Sequence, residues 1–363
     1  MQLRRSFLLS LLIPIATLAL GPAPAPTPKK SVIAAIGDFN KSKGRSTLPP
    51  IVINIFKSIR EISSLSYTLG LGDFYETLYG ADAEAEAKVF FNGLAQHYLA
   101  GGHKFFPTLG NHDTPSRLRE HATAKWKQVK SDSVFPLLSD GSRCDLHYPK
   151  MYCFLEEGVF NISLDDSCDS YRICNWTEQS SWLKKVFALS EELKRNGDSV
   201  ATIVFGHVPL YSNAQDPRTS DSKLYENGHL STQRGHLDLE SLEGMLVRYS
   251  DLFITAHTHV PYPGYMDYQD GHRLRTLSIP CSGSHPRDFY TGSRNPMKGF
   301  PGYALIEVDG TSGEIRTEIK ECDSSSCATF NKENFPSNLP TNVNGVDRYI
   351  DTRLDPKGAS KAL

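Results

Sequence analysis

The chain of 363 residues carries a formal net charge of -2, with 39 Lys and Arg against 41 Asp and Glu. Apolar residues make up 39% of the chain and charged residues 22%, a balance that excludes wholesale disorder and predicts a globular fold with a sizeable core. Because no dense basic run occurs beyond the N-terminus, the composition also argues against a nucleic-acid partner.

Residues 1–23 have the pattern of an export signal. Two arginines are followed by an apolar run over residues 7–20 and then by small residues. We expect a signal peptide over 1–23 and an Ala/Pro-rich linker over 24–30. An uncleaved anchor is the alternative, although the run is shorter than the roughly 18 to 20 apolar residues that span a bilayer. The chain is thus predicted to be secreted or lumenal, or periplasmic in a bacterium, without a stable membrane anchor.

The next part of the chain alternates predicted strands and helices. Strands are predicted at residues 31–36, 67–71, 104–109, 158–164, 200–205 and 252–255, and helices at 51–62, 83–100, 117–127, 178–194 and 239–249. This βαβ rhythm predicts an α/β fold.

The pattern changes in the last third of the chain. Strand-like runs at 273–279, 303–308 and 314–319 are joined by Gly, Pro and Asp turns, so this part is predicted to be mostly β. Beyond Cys327 the sequence is rich in Asn, Pro, Ser and Lys. We therefore expect a folded domain over 31–327 and a loose polar tail over 328–363.

The cysteines favour disulfides over a metal knuckle, since none of the seven forms a Cys-x-x-Cys motif. The candidate pairs are Cys144 with Cys153, Cys168 with Cys174, and Cys322 with Cys327, which leaves Cys281 over. The glycosylation acceptor pattern occurs at Asn40, Asn161 and Asn175, of which Asn175 is favoured.

Five short polar clusters each follow a predicted strand. They are Gly37-Asp38-Phe39-Asn40, Gly72-Asp73-Phe74-Tyr75, Gly110-Asn111-His112-Asp113, Gly206-His207 and His257-Thr258-His259. Since ligand sites in open α/β sheets gather at the carboxyl ends of strands, the five loops can converge on one site. Their carboxylate, amide and imidazole groups, with no thiolate, suit two hard or borderline cations such as iron, manganese or zinc.

Each cluster taken alone has a simpler explanation. A Gly-Asp pair after a strand is more often a turn with a helix N-cap, and a lone Gly-His more often holds a structural histidine. Gly-Asn-His-Asp is more specific, and so is His-x-His, because alternate residues of an extended chain face the same side. Asp165 and Asp166 are predicted to support a turn rather than bind metal, and His285 is the one further histidine with a place near the site.

In order and spacing the five clusters resemble the signature of the calcineurin-like metallophosphoesterase superfamily. Within it the chain resembles the purple, tartrate-resistant-type acid phosphatases. This closer resemblance rests on the Tyr of the second cluster, the run at 207–212 and the Gln-x-x-Trp-Leu-Lys-Lys motif at 179–185. It implies a two-sheet β-sandwich flanked by helices.

The resemblance also implies metal ligands. Asp38 and His259 would hold a first metal, Asn111, His207 and His257 a second, and Asp73 would bridge the two. The expected cofactors are two metal ions, iron paired with iron, zinc or manganese.

One position departs from the purple phosphatases, whose ligand Tyr comes three residues after the bridging Asp. Here Tyr75 follows Asp73 by two residues, and Glu76 takes the third place. We expect Tyr75 to bind the first metal all the same, because the loop keeps the Phe-Tyr order of the family's Gly-Asp-Asn-Phe-Tyr with one residue deleted.

The activity implied is hydrolysis of phosphate monoesters, as in acid phosphatases, by in-line attack of a metal-bound hydroxide. His112 would donate to the phosphoryl group or protonate the leaving alkoxide, and Asp113 would orient His112. The substrate would be a small phosphorylated molecule, and the protein is expected to be a monomer. The polar stretch 211–228 would form a lid or a plain surface loop.

Two other functions stay open. A phosphodiesterase or nucleotidase on the same fold would use the same metals and differ only in its loops. A non-catalytic metal-binding scaffold is favoured by the displaced Tyr75 and by Asn40, which stands where the wider superfamily has a His. Six intact ligand positions and His112 argue against the scaffold.

Overall fold

The computed structural model describes residues 30–39, 46–76, 82–113, 119–167, 176–210, 239–267, 273–289, 298–335, 338–343 and 346–351. The predicted signal peptide, the linker up to residue 29, Asn40, and the candidate lid at 211–228 lie outside these residues.

Helices and strands follow one another along the described residues. The strands are β1 (Ser31–Ile36), β2 (Leu65–Leu71), β3 (Phe105–Thr108), β4 (Tyr152–Glu156), β5 (Val159–Ser163), β6 (Ala201–Phe205), β7 (Leu252–Thr255), β8 (Tyr262–Asp267), β9 (Arg273–Ser278), β10 (Gly302–Val308), β11 (Ile315–Cys322), β12 (Cys327–Thr329), β13 (Asn338–Val343) and β14 (Val346–Asp351). The α-helices are α1 (Pro50–Arg60), α2 (Ala83–His97), α3 (Arg119–Gln128), α4 (Trp176–Asn196) and α5 (Leu239–Tyr249).

The strands form two mixed sheets. The first has the order β12-β11-β10-β1-β2-β3, and the second β13-β14-β8-β9-β7-β6-β5-β4. Neighbours β1, β2 and β3 run parallel, as do β5, β6, β7 and β9. The carboxyl ends of the parallel strands therefore lie together at one edge of each sheet.

The inner faces of the two sheets pack against each other. Phe106 of β3 stacks on Phe154 of β4, with ring centroids 3.9 Å apart. The hydroxyl of Tyr67 in β2 donates to Asn161 Oδ1 in β5 over 3.0 Å. Asn161 is fully buried by this packing. It is therefore closed to glycosylation, although its triplet fits the acceptor pattern.

Helices cover the outer faces. Helix α1 begins at Pro50, a position whose backbone N–H would have no partner within the helix, so the N–H that proline lacks is not missed. Its residues Ile55 and Phe56 are buried in the core. It contacts the first sheet through a hydrogen bond of 2.9 Å between Ser58 Oγ and the Tyr303 hydroxyl of β10.

On the second sheet, Lys194 of α4 pairs with Asp251, next to β7, over 2.7 Å. Phe187 of α4 stacks on Tyr249 of α5 at 5.1 Å between ring centroids. The predicted fold class, two sheets flanked by helices, is confirmed.

The hairpin β4–β5 contains a strand that the sequence pattern did not predict. Residues Glu156 and Val159 pair across a two-residue turn. Both turn residues have positive φ, 46° at Glu157 and 76° at Gly158. Such backbone twist matches that of the flanking strands, which is why two-residue hairpins favour it.

The C-terminal segment differs from the predicted loose tail. Strands β13 and β14 form a hairpin, and β14 pairs with β8 through Ile350 opposite Met266. Pairing satisfies backbone groups along the edge of β8 that would otherwise be unpaired, and this compensates for the low apolar content of the segment. The domain boundaries themselves stay a prediction.

Two of the predicted disulfides are confirmed, Cys144–Cys153 and Cys322–Cys327. The third pair lies outside the described residues. Cys281 is buried, with Sγ 3.4 Å from the carbonyl oxygen of Ser284. Among the helices that the structure describes, none has the length and apolar character needed to cross a bilayer.

Candidate metal centre

The predicted ligands follow strands of both sheets. Asp38, Asp73 and Asn111 follow β1, β2 and β3 of the first sheet, and His207, His257 and His259 follow β6 and β7 of the second. Each lies just beyond the carboxyl end of its strand, so the two sheets present their polar loops to one crevice.

Four of these positions have an unusual backbone. Asp38, Asp73, His257 and His259 have φ between 54° and 63°, in the left-handed region. Residues other than glycine rarely adopt this conformation, and where they do they cluster at functional sites. The left-handed turns redirect the chain directly after the strand and aim the side chains into the crevice.

Three side chains form the centre of the site. One donor atom from each of Asp73, His207 and His257 lies within 4.8 Å of the others. His207 Nε2 is 3.4 Å from Asp73 Oδ2 and 3.0 Å from Asn111 Oδ1. The structure thus brings Asp73, the carboxylate predicted to bridge the metals, together with all three residues predicted for the second metal.

The Nδ1 atoms of His207 and His259 make hydrogen bonds that fix the tautomer of each imidazole. His207 Nδ1 donates to the carbonyl oxygen of Leu71 over 2.6 Å. His259 Nδ1 donates to the carbonyl oxygen of His285 over 2.7 Å. Because a carbonyl oxygen only accepts, Nε2 of each neutral ring carries the lone pair. In His259 that atom lies 3.4 Å from Asp38 Oδ1, as expected for a ligand pair.

The residues present fit a bound cation. Asp38 Oδ1 is buried and has no hydrogen-bond partner among the described residues. His207 Nε2 and His257 Nδ1 lie 3.0 Å apart, a distance at which two lone pairs repel unless a hydrogen or a cation lies between them. The carboxylate, amide and imidazole groups suit iron, manganese or zinc.

Charge and burial prepare these side chains for metal binding. Burial opposes ionisation of Asp73, but the charges of His207 and His112 outweigh it and hold the pKa of Asp73 well below its usual range. Burial and the charge of His207 lower the pKa of His257 well below its ordinary value. At neutral pH, Asp73 is therefore an anion and His257 a neutral imidazole, the forms that bind a metal. Burial lowers the pKa of His207, but the charge of Asp73 outweighs it and raises the pKa to about 10, so a metal that binds Nε2 displaces a proton from this ring.

Two buried carboxylates hold the ligand loops in place. Asp166 accepts the backbone N–H groups of His207 and Val208 over 2.9 and 3.1 Å, in agreement with its predicted supporting role. Asp113 accepts the N–H groups of Asp73, Phe74 and Gly110 over 2.7, 2.9 and 2.9 Å. Burial, together with the charge of Asp73, raises the pKa of Asp113 to about 7.

His112 lies at the edge of the centre with a partner that the sequence did not indicate. Its Nδ1 is 2.8 Å from Glu76 Oε1, while Nε2 faces Asp73 Oδ2 at 3.8 Å. The expected partner, Asp113, instead binds the backbone. Burial lowers the pKa of His112, but the charge of Asp73 and the hydrogen bond to Glu76 outweigh it and raise the pKa to about 9.

Tyr75 is buried beside these groups. Its ring centroid lies 6.3 Å from that of Phe91 in α2, and its hydroxyl has no hydrogen-bond partner among the described residues. Burial, with a contribution from the charge of Asp113, raises the pKa of Tyr75 well above its usual range. Ligation of a metal by Tyr75 stays a prediction.

A short segment after β9 supports the first ligand loop. Ser282 N–H donates to the carbonyl oxygen of Gly37 over 2.8 Å, and Ser284 N–H to that of Asp38 over 2.8 Å. His285 follows directly and holds His259 through its backbone carbonyl. The sequence placed His285 near the site, and the atom that the structure brings there is the carbonyl oxygen.

Replacing Gly110 by Ala is expected to lower metal affinity by at least about 10- to 100-fold, as loss of groups that orient metal ligands does. A Cβ at Gly110 would lie 2.1 Å from Asp73 Oδ1 and 2.3 Å from Asp73 N, so the carboxylate of Asp73 must move. Metal titration of the purified variant measures the effect.

Gly244→Ala is the matched control, because Gly244 is an exposed position of α5 where a Cβ meets nothing within 4 Å. It should keep its metal affinity and gain about 0.5 to 1 kcal/mol of stability from the helix propensity of alanine. Unchanged metal binding in Gly110→Ala would contradict the role given to Asp73.

Comparison with known proteins adds a family and several similar structures. The family model of the calcineurin-like phosphoesterases matches residues 32–261. A dimetal phosphatase from Danio rerio has a similar structure, at 13% identity and a TM-score of 0.49, over 82% of this chain and 98% of that one. PhoD is similar at 10% identity and a TM-score of 0.48, over 85% and 73% of the two chains. GAP50, the anchor in the inner membrane complex of Plasmodium, is similar at 15% identity and a TM-score of 0.47, over 83% and 89%. No curated protein sequence matches the chain.

Proposed function

Because the chain belongs to the calcineurin-like phosphoesterase family, we propose that it is a metal-dependent phosphatase that hydrolyses phosphate monoesters as acid phosphatases do. The observation that carries this proposal is the convergence of Asp73, His207 and His257 within 4.8 Å, with His112 beside them. A carboxylate between imidazole donors is suited to bridge two ions, and a proton donor next to it is suited to protonate the leaving oxygen.

The proposed ligands divide between two ions. Asp38 and His259, with Tyr75, would hold the first, Asn111, His207 and His257 the second, and Asp73 would bridge them. When bound, the two ions lower the pKa of a coordinated water and offset the charge that builds on the phosphoryl group. Iron paired with iron, zinc or manganese is the proposed combination, because these cations share a preference for mixed oxygen and nitrogen ligands.

His112 is proposed as the proton donor. Against the effect of burial, the charge of Asp73 and the hydrogen bond to Glu76 raise its pKa to about 9, which favours the protonated imidazole that a proton donor needs. As the P–O bond to the alcohol breaks, His112 Nε2–H donates its proton to the leaving oxygen. Asp113 is proposed to act indirectly, since it fixes the backbone of the loop that carries Asp73.

Metal content and ester preference test the proposed function together. The purified protein should contain metal and hydrolyse a chromogenic phosphate monoester faster than the matching diester. A chelator should abolish this activity, and added metal should restore it. Preference for the diester would indicate a phosphodiesterase, and metal binding without turnover of either ester would indicate a scaffold.

An extracytoplasmic location is proposed from the disulfides. Bonds such as Cys144–Cys153 and Cys322–Cys327 persist in oxidising compartments, as expected for a chain with the predicted signal peptide. A small phosphorylated substrate and a monomeric state are proposed with it, and glycosylation at Asn175 stays a prediction.

Iron-containing protein should show a visible charge-transfer band that disappears in Tyr75→Phe, if Tyr75 is the ligand expected. The buried hydroxyl, which has no hydrogen-bond partner among the described residues, supports this role. An absorption spectrum with iron content measured on the same sample checks it. The same spectrum in wild type and Tyr75→Phe would show that the phenol does not bind the metal.

A further inference from the structure

Arg287 is a half-buried cation whose role the proposed function does not explain. It belongs to the segment 281–289, which follows β9 and supports the loop that carries Asp38. One nitrogen of its guanidinium group, Nη1, is buried. Arginine side chains are mostly exposed, so an arginine that is buried beside a candidate metal centre indicates a specific role.

Hydrogen bonds tie the backbone around Arg287 to the two loops that carry the proposed ligands of the first metal. The N–H of Ser284 donates to the carbonyl oxygen of Asp38 over 2.8 Å, and the N–H of Arg287 donates to that of His259 over 3.5 Å. On another side, a Cβ at Gly299 would lie only 1.9 Å from the carbonyl oxygen of Arg287. The close packing of this chain segment therefore fixes Arg287 next to the centre.

The charge of Arg287 reaches the proposed ligands. Burial is the main cause of the low pKa of His257, and the positive charges of His207 and Arg287 lower it further. The next residue, Asp288, directs its carboxylate to the exposed Lys298 over 2.7 Å. Arg287 thus adds positive charge to the centre, while the charge of Asp288 is paired near the surface.

Arg287 and His112 reach the centre from different sheets. His112 follows β3 of the first sheet, and its Nε2 lies 3.8 Å from Asp73 Oδ2. Arg287 follows β9 of the second sheet. A phosphoryl group bound between them turns its leaving oxygen toward the proposed proton donor, His112, and an oxygen that stays on phosphorus toward Arg287.

We infer that Arg287 binds a charged oxygen that stays on phosphorus, and that it thereby selects phosphate monoesters over diesters. Above about pH 6 a monoester is a dianion, whereas a diester carries one negative charge and a neutral ester group in place of a charged oxygen. The planar guanidinium group matches phosphate oxygens in shape and charge. This inference rests on the proposed function, to which it adds the residue that distinguishes the two substrate classes.

The test compares wild type, Arg287→Gln and Arg287→Lys on p-nitrophenyl phosphate and on bis(p-nitrophenyl) phosphate. In Arg287→Gln we expect kcat/KM for the monoester to fall by about 10- to 100-fold, as for loss of a hydrogen bond between charged groups. The loss should come mainly from a higher KM, because the oxygen is bound before and during the reaction. The diester should change little, and metal content should stay at the wild-type value.

Arg287→Lys keeps the positive charge but loses the planar group, so it should lie between wild type and Arg287→Gln. Arg316→Gln is the matched control, because Arg316 is an exposed residue of β11 that pairs with Glu314 over 3.2 Å. It should match wild type on both esters.

A readout independent of activity is the binding of inorganic phosphate and of dimethyl phosphate, measured by calorimetry on the metal-loaded proteins. Arg287→Gln should bind inorganic phosphate about 10- to 100-fold more weakly than wild type. Its affinity for dimethyl phosphate should match that of wild type, because a diester offers no charged oxygen at the position of the second ester group.

Equal slowing of both esters, loss of metal from Arg287→Gln, or wild-type phosphate affinity in that variant would each overturn the inference. The first two results would show that Arg287 only supports the ligand loops. The proposed function would stand in each case, provided that wild type prefers the monoester. If wild type prefers the diester or hydrolyses neither ester, the proposed function itself fails and the inference falls with it.

Discussion

Replacing Asp73 by Ala removes metal and hydrolysis together, which is the largest effect that we expect of a single substitution. One carboxylate serves both ions in the proposed centre, and its Oδ2 lies 3.4 Å from His207 Nε2. Its Oδ1 also accepts the N–H of His112. Since metal ions contribute several kcal/mol of transition-state stabilisation, kcat/KM should fall by at least about three orders of magnitude.

Elemental analysis and steady-state kinetics on the same preparation check this result. His257→Ala should also lose metal and activity, because His257 Nδ1 lies 3.0 Å from His207 Nε2 in the same ligand cluster. Asp140→Ala serves as the control, since Asp140 is an exposed carboxylate paired with Lys185 over 2.6 Å. An Asp73→Ala protein that keeps two ions and wild-type turnover would disprove the proposed centre.

Replacing His112 by Ala slows hydrolysis by about two to four orders of magnitude, the range typical of a general acid, while the metal stays bound. The imidazole faces Asp73 from 3.8 Å without joining the cluster of Asp73, His207 and His257. Its loss should therefore spare the ligands and remove the proton donor.

The measurement is kcat with metal content, and the control is His147→Ala. The side chain of His147 is partly exposed to solvent, and its Nε2 lies 3.7 Å from Glu178 Oε1. It should keep wild-type values. Should His112→Ala lose metal along with activity, His112 would belong to the ligand set and the proposed division of roles would be wrong.

Much of the fold could be predicted because the periodicities are local. Buried runs such as Ser31–Ile36 and the polar residues directly after them belong to one short stretch of sequence. The carboxyl ends of parallel strands meet by topology, so Asp38, Asp73 and His207 could be expected to converge before their distances were known.

The partner of His112 could not be predicted in the same way. Asp113 is its neighbour in sequence, but successive residues in a turn point in different directions, and Asp113 meets backbone N–H groups instead. Glu76 lies 36 residues away, and only the packing of the loops after β2 and β3 brings it to His112. The sequence shows that Glu76 belongs to the loop after β2, but it does not show that the side chain of Glu76 points toward His112.

The C-terminal hairpin escaped prediction for a related reason. Its residues have few apolar neighbours in sequence. What orders β14 is the edge of β8, where Ile350 pairs with Met266, a residue 84 positions earlier in the chain. At Asn161 the local sequence misleads in the opposite way. The glycosylation acceptor pattern there suggests a surface site, but the packing of the two sheets buries the side chain.

The left-handed backbone at Asp38, Asp73, His257 and His259 sets a limit on engineering this protein for heat resistance. Such conformations cost on the order of 1 to 3 kcal/mol each in residues other than glycine. A stability-driven redesign would therefore select glycine at these four positions and delete the proposed ligands one by one. The trade-off between stability and activity is therefore concentrated at the turns that carry these four residues. Stabilising substitutions should be made in the helices and strands instead.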